Sequence, residues 1–341
     1  MSKIKVSELF YSVQGEGRYI GVPSVFLRTF GCNFKCPSFG LHHGEKTTEV
    51  APIIQNLNNY KSYNDLPLVS TGCDSYAAVY PEFKDLSPMQ TSNELAENIV
   101  AMLPFKEWRD EHLVITGGEP LLGWQRAYPD LLDHPKMKAL KEITFETNGT
   151  QKLTPEFKHY LGEWTAEHWD REVTFSVSAK LPCSGEAWED AIKPEIVCDY
   201  EKCGTVYLKF VIATEQDFLD AKRAIDEYRA AGFKGHIYLM PVGGTMDTYT
   251  LNNKRVADLA LHNGLRYSAR LQVDLYKNAW GTECLFFTKN IGIFTPVHLK
   301  KHTIHFMKKQ SGNYALRGYH IIAKLPIHVF GLKKDTKDAV A

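Results

Sequence analysis

Short apolar runs alternate with amphipathic helical segments along most of the chain, and this alternation is the strongest constraint on its fold. The runs are rich in Val, Ile, Phe and Tyr, as buried strands are. They cover residues 24–29, 113–116, 143–147, 173–178, 206–213, 236–240 and 267–272. Repeated strand–helix–strand units predict a parallel α/β sheet, either open or curled into a barrel. The active site of such a sheet is expected at the carboxyl ends of its strands.

The helices between these strands have recognisable ends. Hydroxyl side chains precede three of them and can accept hydrogen bonds from the free N–H groups of the first turn; these N-caps are Thr91, Thr154 and Thr214. Gly232 and Gly264 stand where two later helices should end. Residues 37–72 lack such periodicity, and we interpret them as a long inserted loop.

The charge of the 341-residue chain is balanced overall but unevenly distributed. The chain has 40 Lys and Arg against 40 Asp and Glu, so nucleic-acid binding is not indicated for the molecule as a whole. Residues 283–341 nevertheless hold ten Lys or Arg and three Asp or Glu, a net charge of +7. We therefore predict a main domain over residues 1–282 and a basic C-terminal extension of unknown role. The extension could contact nucleic acid or a partner, or could be poorly ordered.

The N-terminus has no apolar stretch of the signal-peptide kind, and no apolar run reaches about 18 residues. A cytoplasmic location is therefore expected. In a reducing compartment, the seven cysteines should be metal ligands or buried thiols rather than disulfides.

Cys32 and Cys36 directly follow the first strong strand. Their C-x3-C spacing allows both thiols to reach one metal centre, although two structural thiols are an equally good interpretation of the pair alone. A structural zinc site needs four ligands, and no second pair with zinc spacing lies nearby. The competing ligands are Cys183, Cys198 and Cys203.

The residues around this loop resemble the 7-carboxy-7-deazaguanine synthases, a branch of the radical S-adenosylmethionine (SAM) superfamily. The matching positions are Phe10, Ser12, the QGEG of residues 14–17, Gly21, Pro23, Arg28 and the GCN of residues 31–33. The superfamily motif is C-x3-C-x2-C, but Phe39 occupies the third position here. Cys73 lies in a Cys-Asp-Ser segment that resembles the family's Cys-Asp-Thr, so residues 37–72 are read as an insertion between the second and third ligands.

The resemblance implies a 4Fe-4S cluster on Cys32, Cys36 and Cys73. Three thiolates leave one iron without a protein ligand, and SAM takes that position in the superfamily. The GGEP of residues 117–120 ends a strand, and its glycines would let the backbone approach a ligand closely. The residues implied for SAM are Gly117, Gly118, Glu119, Ser178, Lys180 and Gln272, with a solvated surface lysine as the alternative for Lys180.

The substrate residues implied by the resemblance are Gln14, Glu16 and Arg28, which contact a bicyclic pterin in that family. Gln14 and Glu16 can pair with ring N–H and C=O groups, and Arg28 suits a carboxylate. A Gly-rich turn with a surface salt bridge is the alternative. The hydroxyl of Ser75 corresponds to the one that holds Mg²⁺ in the family, and a hydroxyl is a suitable hard donor.

The resemblance implies an incomplete parallel (β/α) barrel of the radical SAM type. It also implies conversion of 6-carboxy-5,6,7,8-tetrahydropterin to 7-carboxy-7-deazaguanine with loss of ammonia, for 7-deazaguanines of the queuosine type in tRNA or in modified DNA. The implied partners are a reductant such as flavodoxin or ferredoxin and a second copy of the chain in a homodimer. Two alternatives stay open: another radical SAM enzyme such as a glycyl-radical activase, and a non-enzymatic, cluster-bearing module that binds nucleic acid.

Overall fold

A mostly parallel sheet of nine strands organises the protein in a computed structural model that describes residues 2–278 and the two strands of one short hairpin. The strands are β1 (Lys3–Val13), β2 (Pro23–Thr29), β3 (Met89–Thr91), β4 (His112–Gly117), β5 (Glu142–Thr147), β6 (Glu172–Val177), β7 (Thr205–Ile212), β8 (His236–Pro241) and β9 (Arg266–Tyr267). Their order is β3-β1-β2-β4-β5-β6-β7-β8-β9. β1 pairs antiparallel with β2 and β3, whereas all pairs from β2 to β9 are parallel.

Helices connect the parallel strands, as the alternation predicts. They are α1 (Val50–Gln55), α2 (Ser92–Met102), α3 (Tyr128–Leu132), α4 (Pro155–Ala166), α5 (Trp188–Ala191), α6 (Pro194–Tyr200), α7 (Glu215–Ala230), α8 (Met246–His262) and α9 (Leu271–Tyr276). The predicted N-caps are confirmed, since the hydroxyls of Thr91, Thr154 and Thr214 each accept a hydrogen bond from a first-turn N–H. In this part of the chain, none of the helices is both long enough and apolar enough to cross a membrane.

The sheet does not close, because β3 and β9 lie at its two edges and do not pair with each other in the described residues. The predicted incomplete barrel is therefore confirmed. The central strands are apolar on both faces: every residue of β4 from His112 to Thr116 is buried, as are the last five of β6. Burial on both faces is expected for parallel strands that are covered by helices.

One strand prediction is wrong. Residues 267–272 do not form a strand: β9 ends at Tyr267, and Gln272 lies in the short helix α9. The apolar run of residues 267–272 predicted a strand, but within α9 only Val273 is buried and Leu275 is 54% exposed. The long strand β1 was not predicted because charged residues interrupt its apolar positions.

The inserted segment is folded, so its interpretation as a loop is also wrong. It contains α1 and two short 3₁₀ turns, Leu57–Asn59 and Tyr63–Asp65. Its scattered apolar residues form a small core of their own with the segment that follows Cys73; this core comprises Val50, Ile53, Tyr63, Leu66, Val69, Tyr76, Ala77, Ala78 and Phe83. Its two ends meet, because the Gly72 N–H donates to the Phe39 carbonyl at 2.8 Å.

The chain divides into two units, Met1–Cys284 and Leu285–Ala341. In the second unit, only the antiparallel strands β10 (Phe286–Phe287) and β11 (Phe294–Thr295) are described. The basic extension predicted for residues 283–341 otherwise lies outside the described residues, and the boundary at residue 282 stays a prediction.

Candidate active site

A cavity of about 730 Å³ lies at the carboxyl ends of the parallel strands. It brings together residues that the sequence analysis took from distant segments of the chain. These are Gln14, Glu16, Arg28, Cys32, Cys36, Cys73, Ser75, Gly117, Gly118, Ser178, Lys180 and Gln272. Of the predicted site residues, Glu119 alone is outside this lining. The inserted segment supplies part of one wall, including Phe39 and Val69.

The three predicted cluster cysteines share one end of this cavity. Cys36 forms a small apolar cluster with Phe34 and Ala191, and Cys32 and Cys73 pack against it. The insertion therefore leaves the third thiol beside the first two, because its ends meet between Phe39 and Gly72.

Backbone hydrogen bonds shape the loop that carries Cys32 and Cys36. The Glu186 carboxylate accepts the N–H groups of Lys35 and Cys36 at 2.9 and 2.6 Å, and the Phe34 N–H points to the Cys32 Sγ at 3.4 Å. Cys36 has a φ of +45°, a conformation that non-glycine residues rarely adopt. The Glu186 contacts hold this loop in that strained form.

Burial gives these thiols high proton affinity in the absence of a metal. It raises the pKa of Cys32 to about 11 and that of Cys73 to about 12, and it raises the pKa of Cys36 well above its ordinary value. The Lys180 ammonium acts in the opposite direction on all three. A metal centre bound here would displace three protons.

Within residues 2–278, no group of three or more His, Cys, Asp or Glu side chains is arranged to hold a metal ion. A 4Fe-4S cluster makes a different demand, because each cysteine binds a different iron atom. The Cys32, Cys36 and Cys73 thiols, which pack together in the cavity wall, fit that donor set. The competing cysteines do not share this location: Cys183, Cys198 and Cys203 all pack against the main core.

The two glycines of GGEP are explained by the cysteine loop. A Cβ on Gly118 would lie 2.4 Å from the Gly31 carbonyl oxygen and 2.8 Å from the Cβ of Cys32. A Cβ on Gly117, whose φ is +152°, would lie 2.3 Å from the Thr29 carbonyl oxygen. At both positions β4 approaches the end of β2 closely, and the contact of Gly117 and Gly118 with SAM stays a prediction. Glycine at these positions allows the loop that carries Cys32 to pack directly against the end of β4.

Glu119 is buried behind that loop and does not reach the cavity lining. Its carboxylate accepts the N–H groups of Leu121 and Asn148 at 3.0 and 2.7 Å and the Thr147 hydroxyl at 2.8 Å. Burial raises the pKa of Glu119 to about 7, although these three donors oppose the shift. In this arrangement Glu119 ties the β4 loop to the end of β5, and its contact with SAM stays a prediction.

Ser178 and Lys180 face the cavity directly after β6. The Lys180 ammonium donates to the Ser178 hydroxyl at 3.1 Å and lies 5.8 Å from the centre of the Phe39 ring. Lys180 therefore lines the cavity near the cysteines and is half-buried, and its contact with SAM stays a prediction.

Glu16 is the centre of an ionic network in the wall of the same cavity. Its Oε1 accepts from Arg270 Nε at 3.1 Å and from Gln272 Nε2 at 2.7 Å, and its Oε2 accepts from Lys209 Nζ. Burial alone would raise the pKa of Glu16, but the cations of Lys209 and Arg270 outweigh it and hold this pKa at about 2. Glu16 is a permanent carboxylate at neutral pH.

Gln14 lies beside Glu16 and is held by its own pair of contacts. Its Nε2 donates to Glu146 at 3.1 Å, and its Oε1 accepts the Glu16 N–H at 3.0 Å. The side chain is 3% exposed, so its orientation is fixed. One N–H and one lone pair of this amide are left by these contacts.

Arg28 connects strand β1 with the segment that follows Cys73. Its Nε donates to Glu8 at 3.0 Å and its Nη1 donates to the Ser75 hydroxyl at 2.9 Å. The Ser75 hydroxyl in turn donates to Asp74 at 3.3 Å. A magnesium ion on Ser75 would therefore face a guanidinium, and these contacts do not fit such an ion.

Lys209 and Arg270 are functional candidates that the sequence analysis missed. Lys209 is the one charged residue in the apolar run of β7. A lysine is rarely buried in such a strand unless it is paired, so the sequence alone could have indicated a buried ion pair here. Arg270 carried no such signal, because its partners Glu16 and Asp74 are 254 and 196 residues away in sequence.

Comparison with known proteins gives consistent relatives. No protein-family model matches the chain. The 7-carboxy-7-deazaguanine synthase of Halobacterium salinarum is 28% identical over 301 residues, which cover 81% of this chain and 91% of the relative. That of Pyrobaculum aerophilum is 26% identical and covers 82% and 97%. The crystal structure of QueE from Escherichia coli superposes with a TM-score of 0.44 at 20% identity, over 78% of this chain and 93% of that one.

The resemblance predicted from the motifs is confirmed: over about four-fifths of its length, this chain is similar to the 7-carboxy-7-deazaguanine synthases.

Proposed function

We propose that this protein is a radical SAM lyase that converts 6-carboxy-5,6,7,8-tetrahydropterin to 7-carboxy-7-deazaguanine with loss of ammonia. The observation that carries the proposal is one cavity whose lining brings together the Cys32, Cys36 and Cys73 thiols and the fixed polar groups of Gln14, Glu16 and Arg28. Relatives named for this activity cover most of the chain, which supports it.

Cys32, Cys36 and Cys73 would hold a 4Fe-4S cluster, and Ser178 and Lys180 would face SAM beside it. When bound, the cluster and SAM supply the one-electron chemistry that removes a hydrogen atom from the substrate. The protein's part is to exclude water and to fix the substrate. The packing around Cys36, which is buried against Phe34 and Ala191, serves the first purpose.

Glu16 and Gln14 would bind the polar edge of the pterin. Glu16 has about four acceptor positions, and three are taken by Lys209, Arg270 and Gln272. The remaining one can accept a single ring N–H. Gln14 contributes one donor and one acceptor beside it, so together they match an alternating N–H and C=O edge.

The pterin carboxylate would bind to Arg28. A guanidinium has five N–H donors, more than the contacts with Glu8 and Ser75 use. The pKa of Arg28 is raised despite its burial, because Tyr63, Glu8 and Asp74 lie close to it. Two rings, Phe10 and Phe26, stack at 4.8 Å and line the same cavity, where they offer an apolar face to a bicyclic ring.

The product would enter the biosynthesis of 7-deazaguanine nucleosides, in tRNA or in DNA. A low-potential one-electron carrier such as flavodoxin or ferredoxin would reduce the cluster, and we propose a homodimer as the assembly.

Anaerobic reconstitution with iron and sulfide tests this function. The wild-type protein should bind about four irons, cleave SAM under reducing conditions and convert the carboxy-tetrahydropterin, which mass spectrometry of the product would detect. Cys73→Ala should lose the cluster, whereas the matched control Cys203→Ala should keep it. A wild-type protein with a full cluster that cleaves SAM but leaves this pterin unchanged would refute the substrate assignment. A Cys73→Ala protein with four irons would refute the ligand assignment.

A further inference from the structure

We infer that Lys209 and Arg270 are positioning residues that hold Glu16 in one orientation, with one acceptor position left for the substrate. The inference rests on the proposed function and deepens it, because it assigns the site's selectivity to a cation pair outside the QGEG motif. Neither residue contacts the cysteines in the hydrogen bonds and ion pairs of the described chain.

The two cations approach Glu16 from different elements. Lys209 lies in the middle of β7, and Arg270 immediately precedes α9. Each carboxylate oxygen receives one of them, since Lys209 pairs with Oε2 and Arg270 with Oε1. A carboxylate held at both oxygens cannot rotate, so its remaining lone pair has a fixed direction.

Arg270 also connects Glu16 to the rest of the cavity. Its Nη2 donates to Asp74 at 2.8 Å, directly after the third cysteine, and its Nη1 donates to the Gly243 carbonyl after β8. The guanidinium thus joins the QGEG turn, the Cys73 segment and the end of β8. Its planar fork makes these separate contacts possible, and a lysine could not make them all.

Burial makes a purely structural explanation insufficient. Lys209 is 4% exposed and Arg270 is 7% exposed. Buried ion pairs usually contribute little net stability, because the loss of hydration offsets the attraction between the charges. A role in substrate binding explains the two cations better than a role in stability. They keep Glu16 ionised and fixed in the cavity wall, where it can accept a hydrogen bond from the substrate.

The arrangement predicts which substrates the site accepts. Oε1 has both of its lone pairs occupied by Arg270 and Gln272, and Oε2 has one occupied by Lys209. The site can therefore accept one N–H from a neutral heterocycle. A ring that presents an acceptor atom at this position would face a carboxylate and be rejected.

Lys209→Met is the direct test, because methionine keeps much of the length and removes the charge. Without Lys209, burial should raise the pKa of Glu16 toward the pH range of the activity assay. The other charged groups near the pair are Arg270, Asp74 and Glu146. Lys209→Arg restores the charge, and Lys158→Met is the matched control, since its ion pair with Asp199 lies outside the cavity.

In the reconstituted full-length protein, Lys209→Met should raise the KM for the pterin at least tenfold, which corresponds to about 1.4 kcal/mol. Iron content and SAM cleavage without substrate should stay within twofold of wild type. The variant's kcat/KM should also fall as the pH is lowered from 7 to 5, because Glu16 takes up a proton. The kcat/KM of wild type should show no such fall in this range. Lys209→Arg should recover most of the KM, and Lys158→Met should match wild type throughout.

A Lys209→Met protein whose KM and pH profile stay within twofold of wild type would overturn the inference, as would one that loses its cluster. If Lys209→Met does not fold, Arg270→Lys decides: we expect a KM at least threefold higher, and an unchanged KM overturns the inference. A wild-type protein that does not convert the pterin would refute the proposed function instead. The inference would then be judged on the free energy of unfolding of Lys209→Met against wild type. Without Lys209, the folded variant should take up a proton on Glu16 between pH 7 and 5, so the wild-type advantage should narrow as the pH falls. An advantage that stays constant over this range would overturn the inference.

Discussion

Gly118→Ala should damage the cysteine loop by sterics alone. The φ angle of Gly118 is not positive, so its backbone conformation is allowed for alanine. The obstacle is the lack of room for a Cβ. The new Cβ would lie 2.4 Å from the Gly31 oxygen and 2.8 Å from the Cβ of Cys32. Cβ contacts under 3.0 Å essentially never occur, so the loop must move by at least several tenths of an ångström.

The cost follows from what resists this movement. The Glu119 N–H donates to the same Gly31 oxygen at 2.7 Å, and the Gly118 N–H donates to Thr29 at 3.2 Å. Overpacking of a tight site costs about 1–3 kcal/mol, and a weakened hydrogen bond costs about 1 kcal/mol. Replacing glycine by alanine returns about 0.5–1 kcal/mol of chain entropy. The free energy of unfolding should therefore fall by about 1–3 kcal/mol.

Thermal unfolding and iron content after reconstitution measure the two consequences. A lowering of Tm by about 2–10 °C is expected, together with a reduced iron content because Cys32 moves with the loop. The matched control is Gly162→Ala on the exposed face of α4, where a Cβ meets nothing within 4 Å. It should raise stability by about 0.5–1 kcal/mol and leave the iron unchanged. A Gly118→Ala protein with wild-type Tm and a full cluster would refute the steric reasoning.

Three further outcomes are expected. The folded pKa of Glu16, about 2, lies below its ordinary 4.5, so ionised Glu16 stabilises the fold above pH 4.5, and this stabilisation is lost as the pH falls through 2. Glu16→Gln should therefore lower the free energy of unfolding by about 3 kcal/mol at pH 7. Urea titrations at pH 7 and 3 should show that the difference from wild type narrows, and a constant difference would count against the network. Replacing residues 40–71 by Asn-Gly should preserve iron binding while changing the pterin KM, and a protein without iron would show that the insertion supports the cluster. Thr91→Ala removes the capping box with Glu94 and should lower the free energy of unfolding by about 0.5–2 kcal/mol without affecting turnover, which a denaturant titration and an activity assay would check.

The parts of the fold that were predictable from sequence are those set by local pattern. Six of the seven predicted strands lie where the apolar runs place them, because a strand buried on both faces must be apolar throughout. The N-caps were equally readable, since a hydroxyl and the N–H that it binds are three residues apart.

The parts that failed have partners far away in sequence. β1 is held by β2 and β3 rather than by its own pattern, and α9 replaced a predicted strand because only Val273 is buried there. The inserted segment folds because its few apolar residues meet Tyr76 and Phe83, which lie beyond it. Such contacts have no local signature.

The same division applies to the site. The sequence by itself determined the chemical groups: the cysteines, the QGEG turn and Arg28 are readable as motifs because a short segment carries each of them. Only the tertiary structure decided how those groups are held. It placed Cys73 beside Cys32 across the inserted segment, and it showed that Gly118 lies against the cysteine loop, where a Cβ would not fit. It also surrounded Glu16 with Lys209 and Arg270, because the charge state and direction of a buried carboxylate depend on cations that the fold brings from the opposite end of the described chain.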